Sequence, residues 1–349
     1  MASLLGLLPG PGWFSDPFEI DIELDNAPGS ASTETLFAGY ETSPLYPTGS
    51  DVTGTVTITA PEGSSVWVGG VVLEVEVSAM VFEEMDQYEV ATQLINLREE
   101  PFYVKGAMKM PFRLPLGELA KSESFDGDLF CIRHELSVMV TRPWYTFNVS
   151  SSIPLCVQHL SSPSESSQDE AEIGHTVQVT DCGGLCTLDF GSSTLWIGDP
   201  ITFDVHIAER QNPLSKVSVI FYRIESTEDD DYETVLAASV LYDDPASPIL
   251  GAAAQFTGTI SLDAASLLRY REDKGDDGEM GPPMIVPSFA WADEDGSSLQ
   301  VRYFLRLRVE DVAGDAYWAT NEMVLRRSAL RTSPLASSSQ PANANSTAV

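Results

Sequence analysis

Basic residues are scarce in this chain: 19 lysines and arginines face 52 aspartates and glutamates, a formal net charge of −33 over 349 residues. A field of that sign repels phosphate backbones and anionic headgroups, which disfavours nucleic acid and leaves basic patches on other proteins as natural partners. Long apolar runs are missing as well. No stretch approaches the ~18–20 uninterrupted apolar residues of a membrane span. The apolar start Leu4-Leu5-Gly6-Leu7-Leu8 has no basic residue before it and meets Pro9 at once, a poor secretory signal. The expectation is a soluble, cytoplasmic protein without membrane insertion.

Cysteine and histidine are equally sparse, four of each. Cys131, Cys156, Cys182 and Cys186 are too few for a disulfide framework at this length and are expected to be reduced. The C-x3-C spacing at Cys182 and Cys186 offers half of a zinc site, but no matching second pair lies nearby, so no metal is assigned. Asn148-Val149-Ser150 and Asn345-Ser346-Thr347 match the glycosylation acceptor, a chemistry of the secretory lumen, and are discounted. His134 and His206 fall inside strand patterns, while His159 and His175 flank a polar stretch. None has the spacing of a metal ligand pair. There is no G-x-S-x-G elbow, no phosphate-cradling glycine loop, and the acidic runs at Asp229–Asp231 and Asp293–Gly296 lack the ligand alternation of a calcium loop. No catalytic residue, cofactor or metal is assigned, and the protein reads as a non-enzyme.

What is present is alternation. Phe18, Ile20, Ile22 and Leu24 interleave with acidic residues, which puts the apolar side chains on one face of a half-buried strand. The pattern returns at Thr53–Ile58, Val71–Val77, Phe112–Leu116, Val177–Val179, Leu188–Phe190, Ile201–Ile207 and Val217–Tyr222, with turn residues between. Helical spacing is confined to two short candidates, Leu94–Glu99 and Asp263–Arg271. Strands recurring every ~8–12 residues predict antiparallel β-sandwiches. At ~150 residues per core, the length predicts two of them.

Domain limits follow from composition. Residues 1–16 read as a flexible N-terminus, 17–158 as the first sandwich, 159–174 as a Ser/Pro/acidic linker, 175–329 as the second sandwich with an acidic loop insertion at 269–287, and 330–349 as a disordered tail. The halves echo one another. His134-Glu135-Leu136 and Tyr303-Phe304-Leu305 sit in corresponding long strands, as tandem sandwiches of one type would place them.

Specific motifs go further. The turn Glu123-Ser124-Phe125-Asp126-Gly127, the strand after it with Arg133 and Arg142, and Val301-Arg302-Tyr303-Phe304-Leu305 leading to Glu322–Arg326 resemble the arrestin-like subunit of retromer, the vacuolar protein sorting 26 family. Ile20-Asp21-Ile22-Glu23-Leu24, Val52-Thr53-Gly54-Thr55-Val56 and Leu94–Leu97 follow in that family's order, so the resemblance covers Phe14 to Arg327. It implies two tandem arrestin-like sandwiches and a non-enzymatic cargo-selection subunit, peripherally associated with endosomal membranes. It also implies docking of the second sandwich on an α-solenoid scaffold subunit, with sorting nexins and cargo tails as further partners. The scaffold contact carries over to Val240, Leu241 and Tyr242, expected as an apolar loop tip before Asp243-Asp244-Pro245. The paralogous retriever subunit is a second reading. An arrestin proper is a third; it calls for clustered basic residues on the concave face of the first sandwich, where only Lys105, Lys109, Arg113 and Lys121 are expected. The chain departs from the family pattern in its long acidic loop, in Pro143 after Arg142, and in its strongly negative charge.

Overall fold

The computed structural model describes residues 18–25, 45–83, 86–142, 148–161, 175–262, 285–293 and 296–328. The expectations for the N-terminus, the tail, Pro143, Asn345, most of the linker, the helix at Asp263–Arg271 and nearly all of the acidic loop lie outside these residues.

The first half comprises β1 (Glu19–Leu24), β2 (Leu45–Pro47), β3 (Asp51–Thr59), β4 (Val66–Val68), β5 (Gly70–Val81), β6 (Gln87–Arg98), β7 (Phe102–Val104), β8 (Ala107–Pro115), β9 (Phe125–Asp126), β10 (Phe130–Thr141) and β11 (Val149–Gln158). The second comprises β12 (His175–Val179), β13 (Cys186–Phe190), β14 (Thr194–Trp196), β15 (Ile201–Ile207), β16 (Leu214–Ser226), β17 (Asp231–Asp243), β18 (Ala254–Ile260), β19 (Phe289–Ala292), β20 (Ser298–Asp311) and β21 (Ala316–Arg326). One short 3-10 turn, Gly117–Lys121, interrupts the first half.

The fold is two tandem β-sandwiches. In the first, a sheet ordered β1-β3-β8 faces a six-stranded sheet ordered β2-β11-β10-β5-β6, with β9 paired to β10. In the second, β12-β13-β15-β18 faces β14-β21-β20-β16-β17, with β19 paired to β20. The larger sheets correspond strand for strand: each has a short strand lying parallel to the last strand of its half, and each central strand carries a short partner. The echo between the His134 and Tyr303 segments thus reflects equivalent places, β10 and β20.

Alternation sets the faces. In β3 the burial runs half-buried, buried, half-buried throughout, so Val52, Val56 and Ile58 enter the core and the threonines face out. In β20 Leu299, Val301, Tyr303, Leu305, Leu307 and Val309 do the same. Two expectations fail. Leu94–Glu99 is not helical: Leu94 to Arg98 end strand β6, with Ile95 and Leu97 half-buried and Leu94 turned outward at 60% exposure. Val240 and Leu241 lie in strand β17 rather than on a loop tip, and a register shift separates them. At the end of the span read as the acidic loop, Ile285 and Val286 are buried and belong to no strand.

Candidate docking surface

Two regions carry functional possibilities: the junction between the sandwiches and the free edge of the second one. At the junction, Arg223 and Glu225 are two apart on β16 and share a face, with side chains almost wholly buried. The Arg223 guanidinium pairs with Glu225 at 2.5 Å and with Asp128 at 2.8 Å, and its face lies 5.1 Å from the Phe125 ring centre. Glu225 also accepts the backbone N–H groups of Asp128, Leu129 and Phe130 at 3.0, 2.8 and 3.4 Å. A buried carboxylate survives because every lone pair has a donor. Thr234 Oγ1 on β17 donates to Asp128 at 2.5 Å.

A second ion pair closes the other side. Arg327 donates to Glu123 at 2.5 and 3.2 Å and to the Ile285 carbonyl at 3.1 Å. Burial pushes the Glu123 carboxyl up, while Arg327 and the His159 N–H pull it back. Between the two pairs, Phe125, Phe130 and Phe289 meet edge to face with centroids 5.5–6.5 Å apart.

This explains the Glu123–Gly127 motif. Glu123 and Phe125 face the second half, Ser124 holds His134 at 3.0 Å, and a side chain at Gly127 would run into the Glu225 carboxylate and the Phe125 ring. Downstream, Arg133 is exposed on β10 and Arg142 half-buried beyond its end. Tyr303, in the second motif, donates its hydroxyl to the Val286 carbonyl at 2.8 Å and accepts the Val286 N–H at 3.2 Å. Burial pushes the Tyr303 phenol up to about 12. Sequence reasoning passed over Arg223 and Glu225, although two charges inside an apolar strand were a usable signal.

The three docking candidates divide. Val240 is 55% exposed, whereas Leu241 and Tyr242 are half-buried and pack against the core. Ser218 pairs with Val240 and Val217 with Tyr242, which leaves Leu241 as the extra residue of a bulge. Leu241 leans over Gly258, where an added Cβ would approach it to 3.1 Å. The Tyr242 ring sits 6.2 Å from Phe256, and its hydroxyl donates to the Ser247 carbonyl.

β17 ends its sheet, so among the described residues one of its backbone edges has no partner strand. At the same end of the sheet are two more exposed apolar residues, Leu250 and Val312, 57% and 52% exposed, the second on the β20 side of β16. Both belong to loops tied to the start of β16: Ile249 exchanges backbone hydrogen bonds with Leu214, and the Val312 N–H reaches the Pro213 carbonyl at 3.4 Å. Single exposed apolar residues are ordinary; an exposed valine on a sheet edge that lacks a partner strand is a place where another protein can add contacts.

Among the described residues no group of three or more His, Cys, Asp or Glu could hold a metal ion, and no helix is long and apolar enough to cross a membrane. No family model matches the chain, and no curated protein matches it.

Proposed function

We propose that this protein is a non-enzymatic adaptor of the retromer type. In this reading its second sandwich docks on an α-solenoid scaffold, and with sorting nexins it helps sort transmembrane cargo from endosomes to the Golgi or plasma membrane, as a cytoplasmic protein peripheral to the endosomal membrane. The observation that carries the reading is the β17 edge, without a partner strand among the described residues, with Val240 exposed on it and Leu250 in the loop beside its end. Together with the motif resemblance, it gives an all-β protein an apolar surface on the half where the family docks its scaffold.

The structure changes which variant tests this. Leu241→Asp would disturb the bulge and the packing over Gly258, so loss of binding there would be ambiguous. Val240→Asp leaves the core alone. A Val buried at an interface centre is worth ~1.5–3 kcal/mol. Val240→Asp should therefore weaken binding to a purified helical-repeat scaffold at least ~10-fold, with an unchanged thermal melt. Unaltered affinity, or a wild-type protein that retains receptors but no helical-repeat partner on affinity purification, would remove the reading.

A further inference from the structure

β12 and β13 form a hairpin whose last pair is Val179 with Cys186, so residues 180–185 make the turn. Gly183 takes a positive φ of 75°, which lets the turn fold back and tuck Cys182 beneath it. The result is two fully buried thiols with their sulfurs 3.7 Å apart.

A buried cation faces them. Arg210, 4% exposed, reaches across from the β15–β16 loop. Its Nη1 lies 3.3 Å from the Cys186 sulfur, its Nε donates to the Asn212 carbonyl at 2.5 Å, and its Nη2 donates to the Cys182 carbonyl. None of the ion pairs among the described residues includes Arg210. A guanidinium held away from water calls for a negative charge, and here the group able to supply it is a thiolate of the pair. One proton shared between the sulfurs satisfies both: the hydrogen bond from Cys186 holds the Cys182 thiol down to about 6, helped by Arg210 against the effect of burial, and the same hydrogen bond pushes Cys186 up. The other two cysteines, Cys131 and Cys156, have no second thiol beside them, and burial outweighs the pull of Arg133 on one and of Arg327 on the other, so both thiols are pushed up, Cys156 to about 12.

We propose that Cys182 and Cys186 are a redox-active pair that closes to a disulfide when hydrogen peroxide reaches it and reopens with a dithiol reductant. The sulfurs must approach by roughly 1.6 Å to reach the ~2.05 Å of a disulfide, a side-chain rotation within a glycine-containing turn. The Cys182 thiolate attacks one peroxide oxygen; the O–O bond breaks, sulfur is oxidised to sulfenic acid, and the departing hydroxide takes back from solvent the proton that Cys182 released on ionising and leaves as water. The Cys186 sulfur then attacks the Cys182 sulfur; the S–S bond forms, the S–O bond breaks, and hydroxide leaves with the Cys186 proton as a second water. Two thiols and one peroxide give one disulfide and two waters. Arg210 is a positioning residue that keeps the pair anionic.

The test uses the full chain, reduced, freed of reductant under nitrogen and treated with about one equivalent of hydrogen peroxide. Thiols are then alkylated and read by intact mass and peptide mapping. The expected result is loss of two hydrogens, a Cys182–Cys186 link reversed by dithiothreitol, and Cys131 and Cys156 alkylated only after denaturation. Cys186→Ser should stop at a sulfenic acid on Cys182 that dimedone traps. Arg210→Met should slow the first step ~10-fold or more, with Arg210→Lys recovering much of the rate. The proposal is overturned if all four thiols oxidise at one rate, if the link forms only in denaturant, or if Cys182→Ser leaves thiol loss unchanged. None of these outcomes depends on scaffold binding.

Discussion

His134 lies in the middle of β10 with 1% of its surface exposed. Its Nε2 donates to the Leu119 carbonyl at 3.1 Å, and Ser124 Oγ donates to its Nδ1 at 3.0 Å, so the neutral ring has both nitrogens satisfied. Burial lowers its pKa from 6.5 to about 4, against the pull of the Leu119 and Ser122 backbone. Above pH 6.5 the ring is neutral both folded and unfolded and costs nothing. Below it the unfolded chain gains a proton that the folded chain refuses, so stability falls with pH by up to ~1.4 kcal/mol per pH unit and levels off near pH 4. The whole window is worth about 3 kcal/mol, a large part of a typical domain's stability. Glu123 acts in the opposite sense: its raised carboxyl makes the folded state take up a proton first, which restores stability as pH falls. Comparing wild type with His134→Gln at each pH cancels Glu123. Urea unfolding between pH 7.5 and 4, followed by tryptophan fluorescence and circular dichroism, should show the variant losing ~2–3 kcal/mol less than wild type on acidification. Parallel curves, within ~0.5 kcal/mol across the range, would refute the buried neutral imidazole.

Two further outcomes concern the junction. Glu225→Ala leaves the Arg223 guanidinium and three backbone N–H groups short of an acceptor and should cost ~3–5 kcal/mol in urea unfolding, while Glu225→Gln, which keeps an acceptor oxygen, should cost less. A loss under ~1 kcal/mol for the single variant would mean that the network contributes little. Tyr303→Phe strips both hydrogen bonds from Val286 and should cost ~1–3 kcal/mol, with the Val286 amide exchanging at least ~10-fold faster. Unchanged exchange would show that the Tyr303 hydroxyl does not protect the Val286 amide.

The strands were legible because carboxylates and threonines alternate with apolar residues, as in β1 and β3, and period two has one structural reading. Exceptions to that rule hid the rest. In β6 the outward-facing Leu94 adds an apolar residue on the exposed face and masks the alternation, and in β17 the bulge at Leu241 turns an apparent apolar pair into one exposed and one packed side chain. The junction was invisible for another reason: Arg223 and Asp128 are 95 residues apart, and nothing local to either announces the partner. The motif at Glu123–Gly127 was readable as a pattern, and the structure supplies its cause, since its Glu, Ser, Phe and Gly each meet a constraint of the junction or of His134. That cause bears on what the resemblance can carry. Residues that fasten two sandwiches together would be needed by any protein built this way, whatever it binds, so the motif argues for the architecture first. In the proposed reading the partner is chosen elsewhere, at the β17 edge, where exposure of Val240 rather than any sequence pattern is the physical argument. A variant at Val240 therefore discriminates among adaptors sharing this fold better than one at Glu123, which would loosen all of them alike.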